Sequence, residues 1–443
     1  MVRIVCFIFS GIFLISQGMA QDTLKLSFQE AVKIGLDNNV ILQQENNNLE
    51  VSLANRREAR ALYAPGVGAY AGGQKINGQQ FNDLTGEAFR DNTDFANVGV
   101  GLQYRIFDGL NRLYTNKRYQ SELESQQYLV DRTEQDMIYK IGSQFLQVLM
   151  DKEILRIKKI NLEAQSTTLE QIRGFVEAGT RSLSDQLDQE AMVAQIEVEV
   201  IRAENNLRID QAILTQTLML EPGIEIEVID PDWSFESILV RNYNLDSLYS
   251  SALVRRPDYK KAIADQEVAS AAINMARSMH YPTLDFSTGV GSSYTSRNPD
   301  YNFGEQMDNN SQINYGLEMN IPIYQKNRVS SQKTRAKMAY ENSKLIEKDL
   351  RLMIFREVQT AYLNFLAAKN EYFAAEKQYN AAQEAYDIQK ERYNVGVGTL
   401  VELSRSTWTL VDGAASSAQA RYTLLFQKVI LDYYTGLLNP EDI

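Results

Sequence analysis

Two short turns, at 179–185 and 396–402, carry the residue types and spacing that most clearly suggest a site. Each begins with a glycine, which suits the left-handed position that follows a helix C-terminus. Each then has a hydroxyl residue with a carboxylate three positions later, namely Ser182 with Asp185 and Thr399 with Glu402. That spacing is typical of a capping box, in which both side chains bond backbone N–H groups at a helix N-terminus. Capping is therefore the structural interpretation of both carboxylates. Asp188 lies one turn beyond Asp185 and is not needed for the cap.

The remaining candidate chemistry predicts neither an enzyme nor a cofactor or metal site. The single histidine, His280, stands before Tyr281-Pro282 without a partner motif, so we expect a structural or interfacial role. The glycines in the stretch 66–72 resemble a phosphate-binding loop, but they follow a proline and lead into a strand, and we reject that function. The motifs HExxH, GxSxG and the P-loop are absent from the sequence, and catalytic residues are therefore not expected.

Composition narrows the class of protein further. The 443 residues include 45 Lys and Arg against 57 Asp and Glu, which gives a net charge of −12. A nucleic-acid-binding protein needs a basic face for phosphates, so we expect no nucleic-acid partner. One cysteine excludes a disulfide framework. The mean hydropathy of −0.34 excludes a helical membrane protein.

The first twenty residues read as an export signal. Arg3 precedes an apolar run at 4–15, and Gly18-Met19-Ala20 forms a small-x-small cleavage pattern. Such a segment, 1–20, is typical of a signal peptide and is too short to span a membrane. No later apolar run approaches the roughly 18 residues that a spanning helix needs. If the exported chain crosses a membrane, we expect a β-barrel.

The first half of the exported chain aligns with the second half without a gap, so that equivalent residues always differ by the same number of positions. Matching pairs include Val51 with Val268, Pro65 with Pro282, and Gly179 with Gly396. A single offset that holds from the first of these pairs to the last predicts a tandem duplication. The two repeats are placed at 21–220 and 244–443, with a linker at 221–243 that holds an alternating stretch at 224–229 and a short predicted strand.

Proline-free stretches at 66–221 and 323–439 must contain the long helices. Within the second stretch, apolar or aromatic residues recur every seven positions: Val358, Phe365, Tyr372, Tyr379, Tyr386 and Tyr393. An alanine follows three positions after each of the first four: Ala361, Ala368, Ala375 and Ala382. The same seam occurs at the equivalent positions of the first repeat: Ile141, Val148, Leu155, Leu162, Leu169, Val176. This heptad predicts coiled-coil packing. The first long helix, near 110–178, would be about 100 Å long at 1.5 Å per residue.

Four segments alternate apolar and polar residues with period two, at 66–76, 96–106, 284–294 and 313–323. Each has about 11 residues, the length of a tilted membrane-spanning strand with one apolar face. The stretches within each pair, 77–94 and 296–311, are rich in Asn, Asp and Gly and are predicted to be surface loops. A soluble β-sandwich face is the alternative interpretation of the same alternation.

Each repeat thus reads as helix, β-hairpin, long helix, tight turn and helix. The hairpins are placed at about 66–106 and 283–324, and the turns at 179–185 and 396–402. The predicted fold class is α+β, with long antiparallel coiled-coil helices and four candidate membrane strands per chain.

In this order of elements the chain resembles the TolC-type outer-membrane efflux proteins. The resemblance covers nearly the whole exported chain. It is carried by LSFQEAVKIGLDNNV, YRIFDGLNR, IPIYQKNR, RRPDYKKA and the turns VEAGTRSLSD and YNVGVGTLVE, together with Pro65 and Pro282. One departure is Val40, where the family commonly has proline and the second repeat keeps Pro257.

The resemblance implies a homotrimer in the outer membrane of a Gram-negative bacterium, in contact with outer-membrane lipid. Three chains would share one twelve-stranded β-barrel, continued by a helical barrel in the periplasm. It also implies a periplasmic adaptor and an inner-membrane transporter of RND or ABC type. The adaptor would meet both turns: Gly179, Thr180, Arg181, Ser182, Gly396, Val397, Gly398, Thr399 and Leu400.

In the family, acidic residues near the second turn line a pore constriction. The matching positions here are Glu402 and Arg405, whereas the closer match, with Asp185 and Asp188, lies in the first turn. The candidate constriction is therefore Asp185, Asp188 and Glu402. The predicted function is a passive outer-membrane exit duct for efflux or secretion, with drugs, metals and proteins left open as its substrate. The rival hypothesis is a periplasmic coiled-coil adaptor or scaffold without a barrel, which leaves the four amphipathic strands unexplained.

Overall fold

The computed structural model describes residues 24–82, 86–230, 235–298 and 300–438. The predicted signal peptide at 1–20 lies outside these residues. In chain order the elements are β1 (Leu24–Leu26), α1 (Phe28–Asn38), α2 (Val40–Ala61), β2 (Gly66–Asn82), β3 (Glu87–Phe107), α3 (Asn111–Glu177), α4 (Leu183–Thr217), β4 (Ile226–Val228), α5 (Phe235–Val240), α6 (Leu245–Arg255), α7 (Pro257–Ser278), β5 (Thr283–Thr295), α8 (Phe303–Asn309), β6 (Gln312–Asn320), α9 (Arg328–Asn394) and α10 (Leu400–Thr435).

Helix boundaries repeat along the chain with the same offset as the sequence. Both ends of α1, α2 and α3 recur at that offset as the ends of α6, α7 and α9, and the start of α4 recurs as the start of α10. Each long helix, α3 and α9, has 67 residues. Helices therefore begin and end at equivalent positions in the two halves of the sequence.

The break between α1 and α2 persists without the proline that its counterpart uses. Asn39 ends α1 in an extended conformation, with φ −66° and ψ 118°. In the second half, Arg256 is extended in the same way and Pro257 opens α7. Asn39 is 3% exposed and Arg256 is 1% exposed, so both breaks are buried although only the second has a proline after it.

The chain divides into two compact units. The first contains the described residues of 1–40, 134–249 and 357–443. Its core forms around a parallel pair of short strands in which Leu24 lies opposite Ile226. The strand predicted in the linker is thus β4. Phe28 and Phe145, both fully buried, meet edge-on with ring centroids 5.6 Å apart in this core.

The predicted heptad seam is confirmed as a packing surface. In α9, Val358 and Phe365 are fully buried, and the alanines at the intervening positions are at most 8% exposed. Gly413 of α10 faces the backbone of Tyr379, where an added Cβ would lie 3.4 Å from the Tyr379 Cα. Small residues on this seam let two helix backbones approach closely.

The helices α3 and α4 form a helical hairpin, and ion pairs link them along its length. The nitrogen–oxygen distances are 2.8 Å for Arg173–Glu190, 3.2 Å for Lys158–Glu199 and 2.7 Å for Lys159–Glu204. The side chains of these pairs are partly exposed, and such pairs contribute about 0–1 kcal/mol each. All three are consistent with one register of α3 on α4.

The second unit, 41–133 with 250–356, contains an antiparallel four-stranded sheet in the order β2-β3-β5-β6. Its register places the apolar residues of all four strands on one face, as in the row Ala69, Val100, Val290, Ile313. The adjacent row, Gly68, Gly101, Gly289 and Asn314, lies on the other face. We call these the apolar face and the glycine face.

The two predicted surface loops prove to be more ordered than expected. Most of 77–94 belongs to strands, because β2 continues to Asn82 and β3 begins at Glu87. Both faces of this extension are largely polar, so no apolar alternation marks it in the sequence. The stretch 296–311 contains α8, whose N-terminus is closed by a capping box between Asn302 and Glu305.

Across the described residues, the structure holds no helix that is both long and apolar enough to cross a membrane.

Candidate functional site

The first turn joins α3 to α4 through a left-handed glycine. Gly179 has φ 72°, and its N–H donates to the Val176 carbonyl at 2.9 Å. The Thr180 N–H donates to the Phe175 carbonyl, also at 2.9 Å. These two bonds make the Schellman arrangement that ends a helix when a glycine accepts the left-handed conformation. The glycine predicted here is confirmed.

The second turn repeats this geometry between α9 and α10. Gly396 has φ 81° and donates to the Tyr393 carbonyl at 3.1 Å, and the Val397 N–H donates to the Arg392 carbonyl at 3.0 Å. Equivalent sequence therefore produces equivalent turns.

The two predicted capping boxes differ in outcome. Thr399 and Glu402 form a complete box: the Thr399 N–H donates to the Glu402 carboxylate at 3.0 Å, and the Glu402 N–H donates to the Thr399 hydroxyl at 3.2 Å. The Thr399 backbone bond lowers the pKa of the Glu402 carboxyl below its usual value. Ser182 accepts from the Asp185 N–H at 3.2 Å, but the reciprocal bond is missing from the described structure. Aspartate is one methylene shorter than glutamate, and the prediction of a complete box at Ser182 was wrong.

Asp185 and Asp188 therefore have carboxylates that the helix cap does not use. Asp185 is half-buried and Asp188 is exposed, and they lie three residues apart on one face of α4. The structure gives neither side chain a hydrogen bond or ion pair within the described part of the chain. Glu402, in contrast, is exposed but engaged in its cap.

Exposure separates the predicted adaptor contacts into two groups. Gly179, Thr180, Ser182, Gly396, Val397 and Thr399 are exposed, and Arg181 is half-buried. Gly398 and Leu400 are buried, which corrects the expectation that they lie on the surface. Leu400 packs with Ile172, Tyr393 and Leu403 in a small apolar cluster, because the first residue of α10 turns back onto the ends of α3 and α9.

One contact that the sequence did not reveal joins the two turns. The Arg181 guanidinium lies over the ring of Tyr393, with its central carbon 5.0 Å from the ring centroid. Tyr393 is the last aromatic residue of the heptad seam. Its position in the seam was visible in the sequence, but its cationic partner, in the other half of the chain, was not.

A second cluster, also missed, lies at one end of the glycine face. The Arg105 Nε donates to the Asp285 carboxylate at 2.8 Å, and Glu318 stands opposite Asp285 in the register of β5 and β6. The alternation of apolar and polar residues along each strand already placed these three residues on the polar side. The pairing register of the strands brings them next to one another. Among the described residues, no group of three or more His, Cys, Asp or Glu side chains is arranged to hold a metal ion.

Solved outer-membrane proteins have the same fold. VceC of Vibrio cholerae matches with a TM-score of 0.76 at 15% identity, over 92% of this chain and 96% of VceC. MtrE of Neisseria gonorrhoeae, solved in an open state, matches with a TM-score of 0.73 at 17% identity, over 93% of this chain and 89% of MtrE. The chain therefore has the fold of these outer-membrane proteins, which is mostly helical with a smaller sheet.

The sequence then assigns the family. The family model described as "Outer membrane efflux protein" matches residues 32–218 and 248–437, and the chain belongs to that family. The outer membrane protein TolC of Escherichia coli (strain K12) is 24% identical over 398 residues, 87% of this chain and 77% of TolC. The resemblance drawn from the sequence is confirmed. The protein is an efflux duct of the Gram-negative outer membrane with a periplasmic helical extension, in a family of transport proteins.

Proposed function

We propose that this chain is one third of a passive exit duct and that three copies share a single β-barrel. The observation that carries the proposal is the common register of the sheet, which puts one apolar face and one glycine face on all four strands. An apolar outside with a polar inside is the pattern of a membrane barrel. Four strands are too few, because about eight already give a barrel filled by its own side chains.

The edges of the sheet support sharing between copies. β2 and β6 are the outer strands, and neither has a further neighbouring strand in the described part of the chain. Pairing β2 of one copy with β6 of the next removes both edges, as closed barrels do. Three copies supply twelve strands. The repeated helix boundaries further support an origin by tandem duplication of one unit, 21–220 and 244–443, with 221–243 as linker.

The partners that fit this duct are a periplasmic adaptor and an inner-membrane transporter of RND or ABC type. The duct has no energy source of its own, so the transporter selects and drives the substrate. The exposed residues of the two turns form the adaptor contact: Gly179, Thr180, Ser182, Gly396, Val397 and Thr399, with the half-buried Arg181 beside them. The apolar face of the sheet contacts outer-membrane lipid.

The same turns contain the proposed constriction. Three copies each of Asp185 and Asp188 would concentrate negative charge around a narrow entrance, attracting cations and resisting closure through repulsion. Glu402 is the third candidate, but its carboxylate already accepts from the Thr399 N–H, which reduces its role in the ring.

Assembly in mild detergent tests the proposal. We expect a trimer by light scattering, with electrophoretic migration that changes on heating as the shared sheet unfolds. A stable monomer would contradict the shared barrel. A periplasmic scaffold without a barrel is the rival, and it would remain soluble without detergent. The family membership and the two-faced sheet both disfavour it.

A further inference from the structure

Tyr70 lies across two neighbouring strands on the glycine face. The register places Tyr70 of β2 opposite Gly99 of β3, and Gly99 opposite Gly291 of β5. A Cβ added to Gly99 would meet the Tyr70 Oη at 2.6 Å and its Cζ at 2.7 Å, and a Cβ added to Gly291 would meet the same Oη at 3.1 Å. The ring therefore covers Gly99 and its hydroxyl reaches Gly291.

This orientation differs from the ordinary one. Side chains on a strand stand roughly perpendicular to the sheet. An aromatic ring can lie flat only where its neighbours have no Cβ, an arrangement in which the ring also shields the glycine backbone. Gly99 is buried as a result, although the residues before and after it on this face, Asn97 and Gly101, are exposed or half-buried.

We infer that Gly99 and Gly291 hold Tyr70 flat and so keep the duct wide at this level. The inference rests on the proposed function, in which the glycine face lines the lumen. The row of Tyr70 ends in Gln312, and the two adjoining rows on this face hold only small or amide side chains: Gly68, Gly101, Gly289 and Asn314 on one side, and Gly72, Asn97 and Ser293 on the other. A Tyr70 ring that stood upright would therefore be the largest side chain at this level. Three copies would then point three rings at the centre of the pore. Gly99 and Gly291 are positioning residues that act through Tyr70.

A reporter cysteine can measure passage beyond Tyr70. The only native cysteine is Cys6, in the predicted signal peptide, so Gln103→Cys gives one thiol in the exported chain. Gln103 lies on the glycine face, two rows from Tyr70 and on the side away from the paired residues Asn82 and Glu87. Its modification is followed in intact cells with two membrane-impermeant reagents, a small charged methanethiosulfonate and a bulky sulfonated maleimide.

In this background we expect Gly99→Ala to slow the bulky reagent and to spare the small one. Gly101→Ala is the matched control, because it adds the same methyl group to the same face of β3, where the nearest atom, the Thr288 carbonyl oxygen, is 3.9 Å away. We expect Gly101→Ala to leave both rates unchanged. Adding Tyr70→Ala to Gly99→Ala should restore the rate of the bulky reagent.

A Cβ on Gly99 would also come within 2.9 Å of the Val290 carbonyl oxygen, which could disturb the pairing of β3 with β5. Gly291→Ala is the second variant: its Cβ would lie 3.1 Å from the Tyr70 Oη and 3.0 Å from the Val98 carbonyl oxygen. Because both variants approach a carbonyl of the neighbouring strand, only variants that assemble as trimers are compared. If slowing persists after Tyr70→Ala, or if neither glycine variant slows the bulky reagent, the inference is wrong. If Gln103→Cys alone reacts with neither reagent, the lumen assignment fails and the inference falls with it.

Discussion

Arg181 in the first turn stacks on Tyr393 at the end of α9, and this contact ties the α3–α4 hairpin to the α9–α10 hairpin. The tyrosine also packs with Ile172, Leu400 and Leu403, so one ring serves both a cationic and an apolar contact. The two turns of a chain are therefore connected to each other.

Loss of this contact should loosen the entrance. A cation–π pair contributes about 0.5–1 kcal/mol when exposed and about 2 kcal/mol when desolvated. This one joins a half-buried arginine to a buried ring. We expect Arg181→Ala to raise the single-channel conductance of the closed duct in planar bilayers. Arg202→Ala, which removes an exposed arginine farther along α4, is the control. Unchanged conductance in Arg181→Ala would mean that the contact has no part in holding the entrance closed.

Substitutions of the acidic residues in the turns should distinguish residues that attract cations from the one that caps a helix. Asp188→Ala and Asp185→Ala should each lower the selectivity of the closed duct for cations and weaken its block by multivalent cations, because both carboxylates are unused by the cap. Glu402→Ala should fray the start of α10 and leave selectivity largely unchanged. Reversal potentials in a salt gradient measure this. An Asp188→Ala duct with the selectivity of the wild type would exclude the acidic ring.

A buried carboxyl in the middle of α3 predicts a dependence of stability on pH. Asp151 is 9% exposed and accepts a hydrogen bond from Gln147 at 3.3 Å. Burial, together with the neighbouring Asp210 carboxylate, raises the pKa of Asp151 from 3.8 to about 7. Between these values the folded chain holds a proton that the unfolded chain has lost, so the free energy of unfolding falls as pH rises through this interval.

We therefore expect the wild type to unfold at a lower temperature at pH 8 than at pH 5, as followed by helical circular dichroism. Asp151→Asn should remove most of that difference, because its amide does not titrate. Asp188→Asn, at an exposed position of α4, should retain it. The same pH difference in Asp151→Asn and in the wild type would show that other groups cause it.

Adjacent residues on β3 test the assignment of the two faces. Leu102 lies on the apolar face and Gln103 on the glycine face. An arginine on the lipid side of a barrel costs about 2–4 kcal/mol near the membrane midplane. We expect Leu102→Arg, and likewise Val98→Arg or Leu317→Arg, to reduce the heat-modifiable trimer in outer-membrane fractions. Gln103→Arg and Asn314→Arg should be tolerated. Equal losses on both faces would contradict the lipid-facing assignment.

Much of this architecture could be predicted because its signals are local or periodic. Proline-free stretches and a seven-residue apolar repeat, aliphatic in α3 and rich in Tyr and Ala in α9, located the two long helices. The alternation of apolar and polar residues located the four strands. The extension of β2 to Asn82 was not predicted, because both of its faces are largely polar and show no alternation of apolar residues. The contacts of Arg181 with Tyr393, and of Tyr70 with Gly99 and Gly291, depend on how distant segments align. Residue spacing does not encode such alignments.

The equal lengths of α3 and α9 have an evolutionary consequence. Each helix has 67 residues and ends in the same kind of turn, and the two turns meet through Tyr393. Removing one heptad from α9 alone would displace its turn by about 10 Å along the helix axis. Arg181 would then lose its partner. An insertion or deletion in one half can persist only with a matching change in the other, so the two halves must change length together.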